Sequence, residues 1–401
     1  MPCVRFQETT NSRSMEILHI KSTQVCLEYV PKYGGSAIAA RDYAVAMESA
    51  VIAFTSLNYM NYTQEGDKNV LRIPIRSDFL GRWYALSRSN SELKAAKSIL
   101  CQSDLAVLHL LYRYHVQWAG AVLHNAKIPY WVIPHGSLDP WVFTYRSLQK
   151  QIWLRTIGYP IMRRAEAVIF TTERERQKAS SYTQGCKTRV IYLPVEFVDT
   201  SMRNQIRTEV RVSHLIPQSA RVLVWIGRLH PMKRPLETIE AFKRARDPSL
   251  HLMVIGPDDV LTRQDCERYC SEHNIENVHL IGPVYGKQKY DYYMAADSYI
   301  SLSHRENFNY TAAEAIACCL PVILSPGNDL SFELQDFNCG WMLKTSDVQE
   351  AADMIKQFAS VPQAELDMMG LAGQSWARTA LSWGTFVQAL RGLAAVSTNN
   401  R

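Results

Sequence analysis

Asp297-Ser-Tyr-Ile-Ser-Leu-Ser-His-Arg-Glu-Asn-Phe-Asn-Tyr-Thr-Ala-Ala-Glu-Ala-Ile-Ala-Cys-Cys-Leu-Pro-Val-Ile-Leu324 decides the fold. The apolar run 297–302 reads as a buried parallel strand, 311–319 as a helix with small residues facing a sheet, and 321–324 as the next strand. Glu306 and Glu314 then stand at the mouth of a short helix between two buried strands. Asn307, Phe308 and Asn309 fall where helix-start N–H groups are unpaired and the dipole is positive, which suits a diphosphate. From within the helix Glu314 can reach hydroxyls such as those of a ribose, and Glu306 can face a second set. Taken singly, Glu306 reads as a solvated residue before a helix and Glu314 as an ordinary one within it.

Working outward, Val222-Leu-Val-Trp-Ile-Gly-Arg-Leu-His-Pro-Met-Lys-Arg-Pro235 reads as a buried strand ending at Gly227, then the cations Arg228, Lys233 and Arg234, then an amphipathic helix from about Pro235. Ligands of open α/β sheets bind beyond the carboxyl ends of the strands. Arg228 and Lys233 fall there. Two cations at that edge neutralise a diphosphate leaving group, Arg through two donors and Lys as a point charge. Cations and carboxylates at the same edge of one sheet reinforce each other.

Gly-Arg-Leu-x-x-x-Lys-Arg-Pro, with the E-x7-E pattern from Glu306 to Glu314 and Ala-Ile-Ala-x-x-Leu-Pro-Val-Ile after it, resembles the C-terminal signature of family 4 glycosyltransferases, which are retaining enzymes of the GT-B fold. The resemblance spans about 15–396 and includes Pro31-Lys-Tyr-Gly-Gly-Ser36, similar to the family's glycine loop, and Pro134-His-Gly-Ser-Leu-Asp-Pro-Trp141, similar to its His-Gly loop. It implies two Rossmann-like, doubly wound parallel-sheet α/β domains facing across a cleft. It also implies that Gly34 and Gly35 lie against the donor's sugar and phosphate, and that His135 contacts the transferred sugar. His109 is a similar, weaker candidate, while Asp139 and Trp141 read as capping and packing groups. Base contacts are expected from backbone at 282–285, Gly282 and Val284 included.

Two departures from the family pattern stand out. Asn309 occupies a position where many relatives have Gly, so a left-handed turn must be met by Asn, which tolerates it better than most residues. Leu193-Pro-Val-Glu-Phe197 replaces an Asn-Gly turn, and no role is carried across that loop. The sequons at Asn61 and Asn309 read as chance matches, since a glycan on Asn309 would block the proposed site.

A chain of 401 residues exceeds what one hydrophobic core usually serves. The expected division is a polar leader at 1–14, an acceptor-binding domain at 15–200, a nucleotide-sugar domain at 201–380 and, from the resemblance, a terminal helix at 381–401 returning to the first domain. Strand-like runs at 51–55, 105–110, 130–133, 167–170 and 189–193 follow a first strand beginning at Met15. A second set at 222–226, 251–255, 278–281, 297–302 and 321–324 follows a polar junction at 199–211. The net charge of +6 is modest and unclustered, which argues against a nucleic-acid-binding face and fits anionic small substrates or an acidic membrane surface. Nine cysteines without C-x-x-C spacing read as reduced thiols, and no apolar run reaches transmembrane length, so the expectation is a cytoplasmic protein. The basic and apolar segment 146–164 could lie on an anionic membrane, although an ordinary amphipathic domain helix is the simpler reading.

The expected chemistry is transfer of a sugar from a nucleotide diphosphate sugar to the hydroxyl of a glycan, a lipid-linked or a small-molecule acceptor. Arg228, Lys233, Glu306 and His135 are the catalytic candidates. Gly34, Gly35, Gly227, Gly282, Val284, Asn307, Phe308, Asn309 and Glu314 are the donor-binding ones. No Asp-x-Asp metal motif is visible, so neither metal nor other cofactor is expected. The alternatives are a nucleotide-sugar-binding scaffold without turnover, or a nucleotide-sugar epimerase, whose additional acid and base residues are not located.

Overall fold

Runs such as Leu105–His109, Tyr130–Ile133 and Ala167–Phe170 are buried along their whole length, the pattern of strands covered on both faces by helices. The computed structural model describes residues 20–30, 34–56, 58, 60–61, 69–78, 84–87, 89–144 and 146–398. Within them β1 (Ser22–Leu27), β2 (Ala50–Thr55), β3 (Val70–Pro74), β4 (Leu105–His109), β5 (Tyr130–Ile133), β6 (Ala167–Phe170) and β7 (Thr188–Val190) form one sheet in the order β3-β2-β1-β4-β5-β6-β7. A second sheet has the order β10-β9-β8-β11-β12-β13, from β8 (Arg221–Ile226), β9 (Leu250–Ile255), β10 (Val278–Gly282), β11 (Ser298–Ser301), β12 (Val322–Leu324) and β13 (Gly340–Met342). The pairings β1 with β4 and β8 with β11 are parallel and mark the points where the winding reverses.

The first strand differs from expectation. Met15 to His19 lie outside the described residues, as do the leader at 1–14, Pro31 to Tyr33 of the glycine loop and residues 62–63 of the first sequon, and the first described strand starts at Ser22. Ser-Thr-Gln-Val-Cys-Leu carries three polar side chains in a buried strand, so hydropathy alone passes over it. The edge strands β3 and β13 were also not anticipated, since both are short and only partly buried.

The polar junction at 199–211 is in large part a helix, Arg203–Ser213, and the residue it buries is an arginine. Arg211 is wholly buried and donates to Asp297 Oδ2 at 2.9 Å and to the carbonyls of Ala295, Gln218 and Ala220 at 2.9–3.0 Å. Arg207 takes the other Asp297 oxygen at 2.7 Å. A buried charge is tolerated when it is paired and its remaining donors are satisfied, and here Arg211 fastens this helix to the entry of β11.

The terminal helix Trp383–Thr398 packs back on the first sheet: Phe386 meets the Tyr43 ring edge-on at 5.0 Å, and Trp131 Nε1 donates to Ser397 Oγ at 2.9 Å. Phe386, Leu390 and Ala394 share one apolar cluster with Trp131 and Ile133 of the first sheet and Val222 and Val224 of the second. Of segment 146–164, residues 147–164 are helical, with a π turn at Leu154–Gly158 between Ser147–Trp153 and Tyr159–Arg164.

Candidate functional site

The carboxyl ends of the two sheets face each other, and the turns that leave them carry the unusual backbone. After β1, Gly34 has φ +116° and accepts from Ala37 and Ile38 at the start of helix Gly35–Ala46, a conformation that an L side chain rarely adopts. After β5, His135 and Gly136 both have positive φ, at 48° and 73°. A Cβ on Gly136 would come within 2.2 Å of the Asn307 amide, so glycine here lets the two halves touch. After β11, Asn309 caps helix Tyr310–Ala317 with φ +52°, the left-handed geometry expected where relatives use Gly. Its side-chain oxygen accepts from Ala312 N, while the N–H groups of Tyr310 and Thr311, first in the helix, have no intrahelical acceptor.

The second sheet supplies the charges. Arg228, just beyond β8, is half exposed and pairs with Asp259 at 2.5 Å. Lys233 pairs directly with Glu306 across the strand ends, joining the two signatures in one contact. Arg234 does not join them: it is buried, with its guanidinium on the Ser346 carbonyl at 2.7 Å, because Arg234 itself turns left-handed to start the next helix. Close approach of β8 and β9 depends on Gly256, where a Cβ would lie 1.6 Å from the Gly227 carbonyl oxygen.

Glu314 differs from expectation. Both its oxygens are engaged by the protein, Oε1 by Lys289 Nζ at 2.5 Å and Oε2 by the Tyr293 hydroxyl at 3.1 Å. Burial raises its pKa above the usual carboxylate value, with Lys289 and Tyr293 opposing. Lys289, not Glu314, lines the cavity.

The first sheet supplies a neutral wall. His135 Nε2 lies 2.9 Å from His109 Nδ1 with the ring planes within 13° of each other, and burial pushes the His135 pKa down to about 4 and that of His109 well below the ordinary histidine value. The His-Gly loop is held by Glu175, whose Oε1 accepts from Gly136 N at 2.6 Å and Asn307 Nδ2 at 3.3 Å. Its Oε2 accepts from Thr171 N and Thr171 Oγ1, each at 2.8 Å. Burial raises the Glu175 pKa, against these donors and the nearby Lys178. From the other side Arg305 Nη2 donates to the Gly136 carbonyl at 2.8 Å. Asp139 caps Trp141 N at 2.9 Å and pairs with Lys178 at 3.2 Å, which also reaches Asp329 across the cleft at 2.6 Å. The Tyr310 hydroxyl donates to Asp42 at 2.6 Å, a further tie between the halves.

These walls enclose a cavity of about 500 Å³. Gly34, Gly35, His135, Gly227, Arg228, Lys233, Glu306, Asn307, Phe308, Asn309 and Val284 line it; Gly282 and Glu314 do not. Lys289, Arg305 and Thr171 line it without having been anticipated, and Glu175 stands behind it. Thr172-x-x-Glu175 is a capping-box spacing. Thr172 does cap Glu175 N at 3.0 Å, but the carboxylate turns away to the His-Gly loop, a use no local pattern announces. Among the described residues no group of three or more His, Cys, Asp or Glu side chains is placed to hold a metal ion, and no helix is long and apolar enough to cross a membrane.

Comparison with known proteins matches both halves. Residues 206–376 match the family signature described as Glycosyl transferases group 1, and residues 34–196 the Glycosyl transferase 4-like domain. The chain is similar to D-inositol 3-phosphate glycosyltransferase of Actinosynnema mirum, 27% identical over 242 residues that cover 56% of this chain and 58% of that protein. It is also similar to GDP-mannose:cellobiosyl-diphosphopolyprenol alpha-mannosyltransferase of Xanthomonas campestris, 24% identical over 56% of this chain and 57% of the relative. The chain thus spans little more than half the length of these relatives. Among solved structures, HepE of Anabaena in complex with UDP superposes with a TM-score of 0.76 at 18% identity, over 94% of this chain and 100% of that one. Sucrose-phosphate synthase of Thermosynechococcus elongatus does so with a TM-score of 0.72 at 20% identity, again over 94% and 100%.

Proposed function

The chain belongs to the family 4 glycosyltransferases of the GT-B fold, and from that premise we propose that it transfers a sugar from a nucleotide diphosphate sugar to an acceptor hydroxyl with retention at the anomeric carbon. The observation that carries this reading is the cavity where Arg228, Lys233 and the Tyr310–Thr311 amides converge from one sheet while His135 and the glycine loop close it from the other. As the glycosidic bond breaks, negative charge gathers on the leaving diphosphate. Preorganised cations and helix-start amides stabilise that charge most where water is excluded. Lys233 keeps two of its three N–H donors when it holds Glu306, so one ammonium can bind phosphate while orienting the carboxylate toward sugar hydroxyls. The ribose meets the Lys289–Glu314 pair rather than a free carboxylate. The leaving phosphate serves as base for the attacking hydroxyl, on the same face, and no metal takes part.

The names of the relatives support a nucleotide-linked donor and a sugar-containing or phosphorylated acceptor. Trp141, Leu148 and Ile152 are exposed along 141–152 beside Arg155, which supports a contact between this face and an anionic membrane. Cosedimentation with anionic but not zwitterionic vesicles tests that contact. The transfer itself is tested by following nucleoside diphosphate release from a panel of nucleotide sugars, with and without EDTA, and by proton NMR of the fresh product. Release that survives EDTA and a product of retained configuration support the proposal. An inverted anomer, or activity lost to EDTA and restored only by metal, would refute it, and donor binding without any release would leave a scaffold.

A further inference from the structure

Behind His135 runs a chain of hydrogen bonds whose direction is fixed from its far end. Ser22 Oγ lies 3.2 Å from the Met47 carbonyl, which can only accept, so the single Ser22 hydroxyl proton points there. Ser49 Oγ, 2.6 Å from Ser22 Oγ, must then donate to it. With its own proton used, Ser49 Oγ can only accept from the Gln24 amide nitrogen at 2.8 Å, which turns the Gln24 oxygen toward His109 Nε2 at 3.0 Å. His109 Nε2 therefore carries the proton. Burial keeps His109 neutral, so its Nδ1 is a lone pair and accepts from His135 Nε2 at 2.9 Å. Ser22, Gln24, Ser49 and His109 are all buried.

We propose that Gln24 and His109 are positioning residues that hold His135 in its Nε2–H form, leaving Nδ1 as a neutral hydrogen-bond acceptor for a ligand hydroxyl in the cleft. Among the described residues nothing else hydrogen-bonds the His135 ring. The charged groups at the loop, Glu175 and Arg305, bind the backbone of Gly136 instead. Around His109 the Tyr43 ring packs edge-on at 5.7 Å, and His115 Nε2 donates to the His109 carbonyl at 2.8 Å, so neither competes for the His109 ring nitrogens. A neutral acceptor takes a hydroxyl proton and disfavours a carboxylate or phosphate oxygen at the same point. The role of the cleft as a donor site is taken from the proposed function, but the tautomer is a property of the unliganded protein.

The experiment is a two-bond proton–nitrogen correlation spectrum of the full chain labelled at histidine, with His135 assigned by its loss in His135→Gln. The expected pattern is a neutral His135 protonated at Nε2, unchanged from pH 6 to 8. An Nδ1–H or doubly protonated pattern overturns the proposal. Gln24→Met keeps the side-chain length and removes the acceptor, so His109 shifts its proton to Nδ1 and the His135 pattern reverses to Nδ1–H. With it kcat falls while nucleoside diphosphate affinity stays within threefold of wild type. An unreversed pattern in Gln24→Met overturns the positioning role. If that variant does not fold, the wild-type spectrum still decides the tautomer. The expected spectrum from a protein that binds no nucleotide would sink the donor-site reading and leave this one standing.

Discussion

Replacing Glu175 by Gln changes one atom and tests how the two halves of the cleft are held. Each Glu175 oxygen accepts from two donors, Gly136 N and Asn307 Nδ2 on one side and Thr171 N and Thr171 Oγ1 on the other. Glutamine turns one acceptor into an NH2 group. In either orientation that group faces a buried backbone N–H, from Gly136 or from Thr171, which is left unpaired, while the neighbouring Asn307 amide or Thr171 hydroxyl can turn to accept from the NH2. An unsatisfied buried donor costs about 1–3 kcal/mol. In a unit of roughly 200 residues each kcal/mol moves the midpoint by about 2–4 °C, which gives a fall of about 2–12 °C for the transition of the first half. Differential scanning calorimetry reads it, with the midpoints treated as operational because two units unfold. Because the same substitution releases the His135–Gly136 loop, kcat/KM falls with it, by roughly tenfold for each 1.4 kcal/mol of lost positioning. A Glu175→Gln protein within about 1 °C of wild type, at normal activity, would refute the account of Glu175 as an acceptor-only clamp.

Arg228→Ala and Lys233→Ala each lower turnover by roughly a hundredfold or more without loss of fold, the scale for removing one charge-stabilising donor; steady-state rates within threefold of wild type would remove both from the mechanism. Arg211→Met leaves Asp297 buried with Arg207 as its remaining charged partner and lowers stability by about 3 kcal/mol in urea titration, the low end for breaking a buried pair; an unchanged midpoint contradicts this. Burial pushes Asp42 up to about 7. Between its unfolded value near 4 and that value the native state holds a proton that the unfolded chain has released, so its contribution to stability falls as pH rises through this window and is level above it. The Tm of wild type therefore falls relative to that of Asp42→Asn from pH 5 to pH 8, and a difference that does not vary with pH rules out the raised value.

What the sequence could yield was set by how local each signal is. Buried strands such as Tyr130–Ile133 and Ala167–Phe170, and the helix from Pro235, follow from apolar runs and a proline at a helix start, and the structure keeps those bounds. Lys233 and Glu306 meet because both leave the carboxyl ends of parallel strands of one sheet, a consequence of topology that motif order already implies. Asn309 was legible as a left-handed position from the family pattern, in which many relatives have Gly there. Glu175, Lys289 and Arg211 were not legible. Each looks like an ordinary charged residue on a helix, and its role comes from a partner far along the chain: Gly136, Glu314 and Asp297. The polar strand β1 was hidden for the same reason. Gln24 and Ser22 are buried because they hydrogen-bond to Ser49 and His109 across the sheet, and hydropathy cannot register a partner.

Calorimetric titration of the common nucleoside diphosphates into the wild-type protein and into Lys233→Ala tests the central claim most directly. A hydrogen bond to a charged group contributes about 1.5–3 kcal/mol, so loss of the Lys233 contact weakens binding by about ten- to a hundredfold. The account predicts that one nucleoside diphosphate binds wild type clearly more tightly than the rest and loses that much affinity in the variant. No heat of binding from any of them at millimolar concentration, or equal affinity in both proteins, would contradict it.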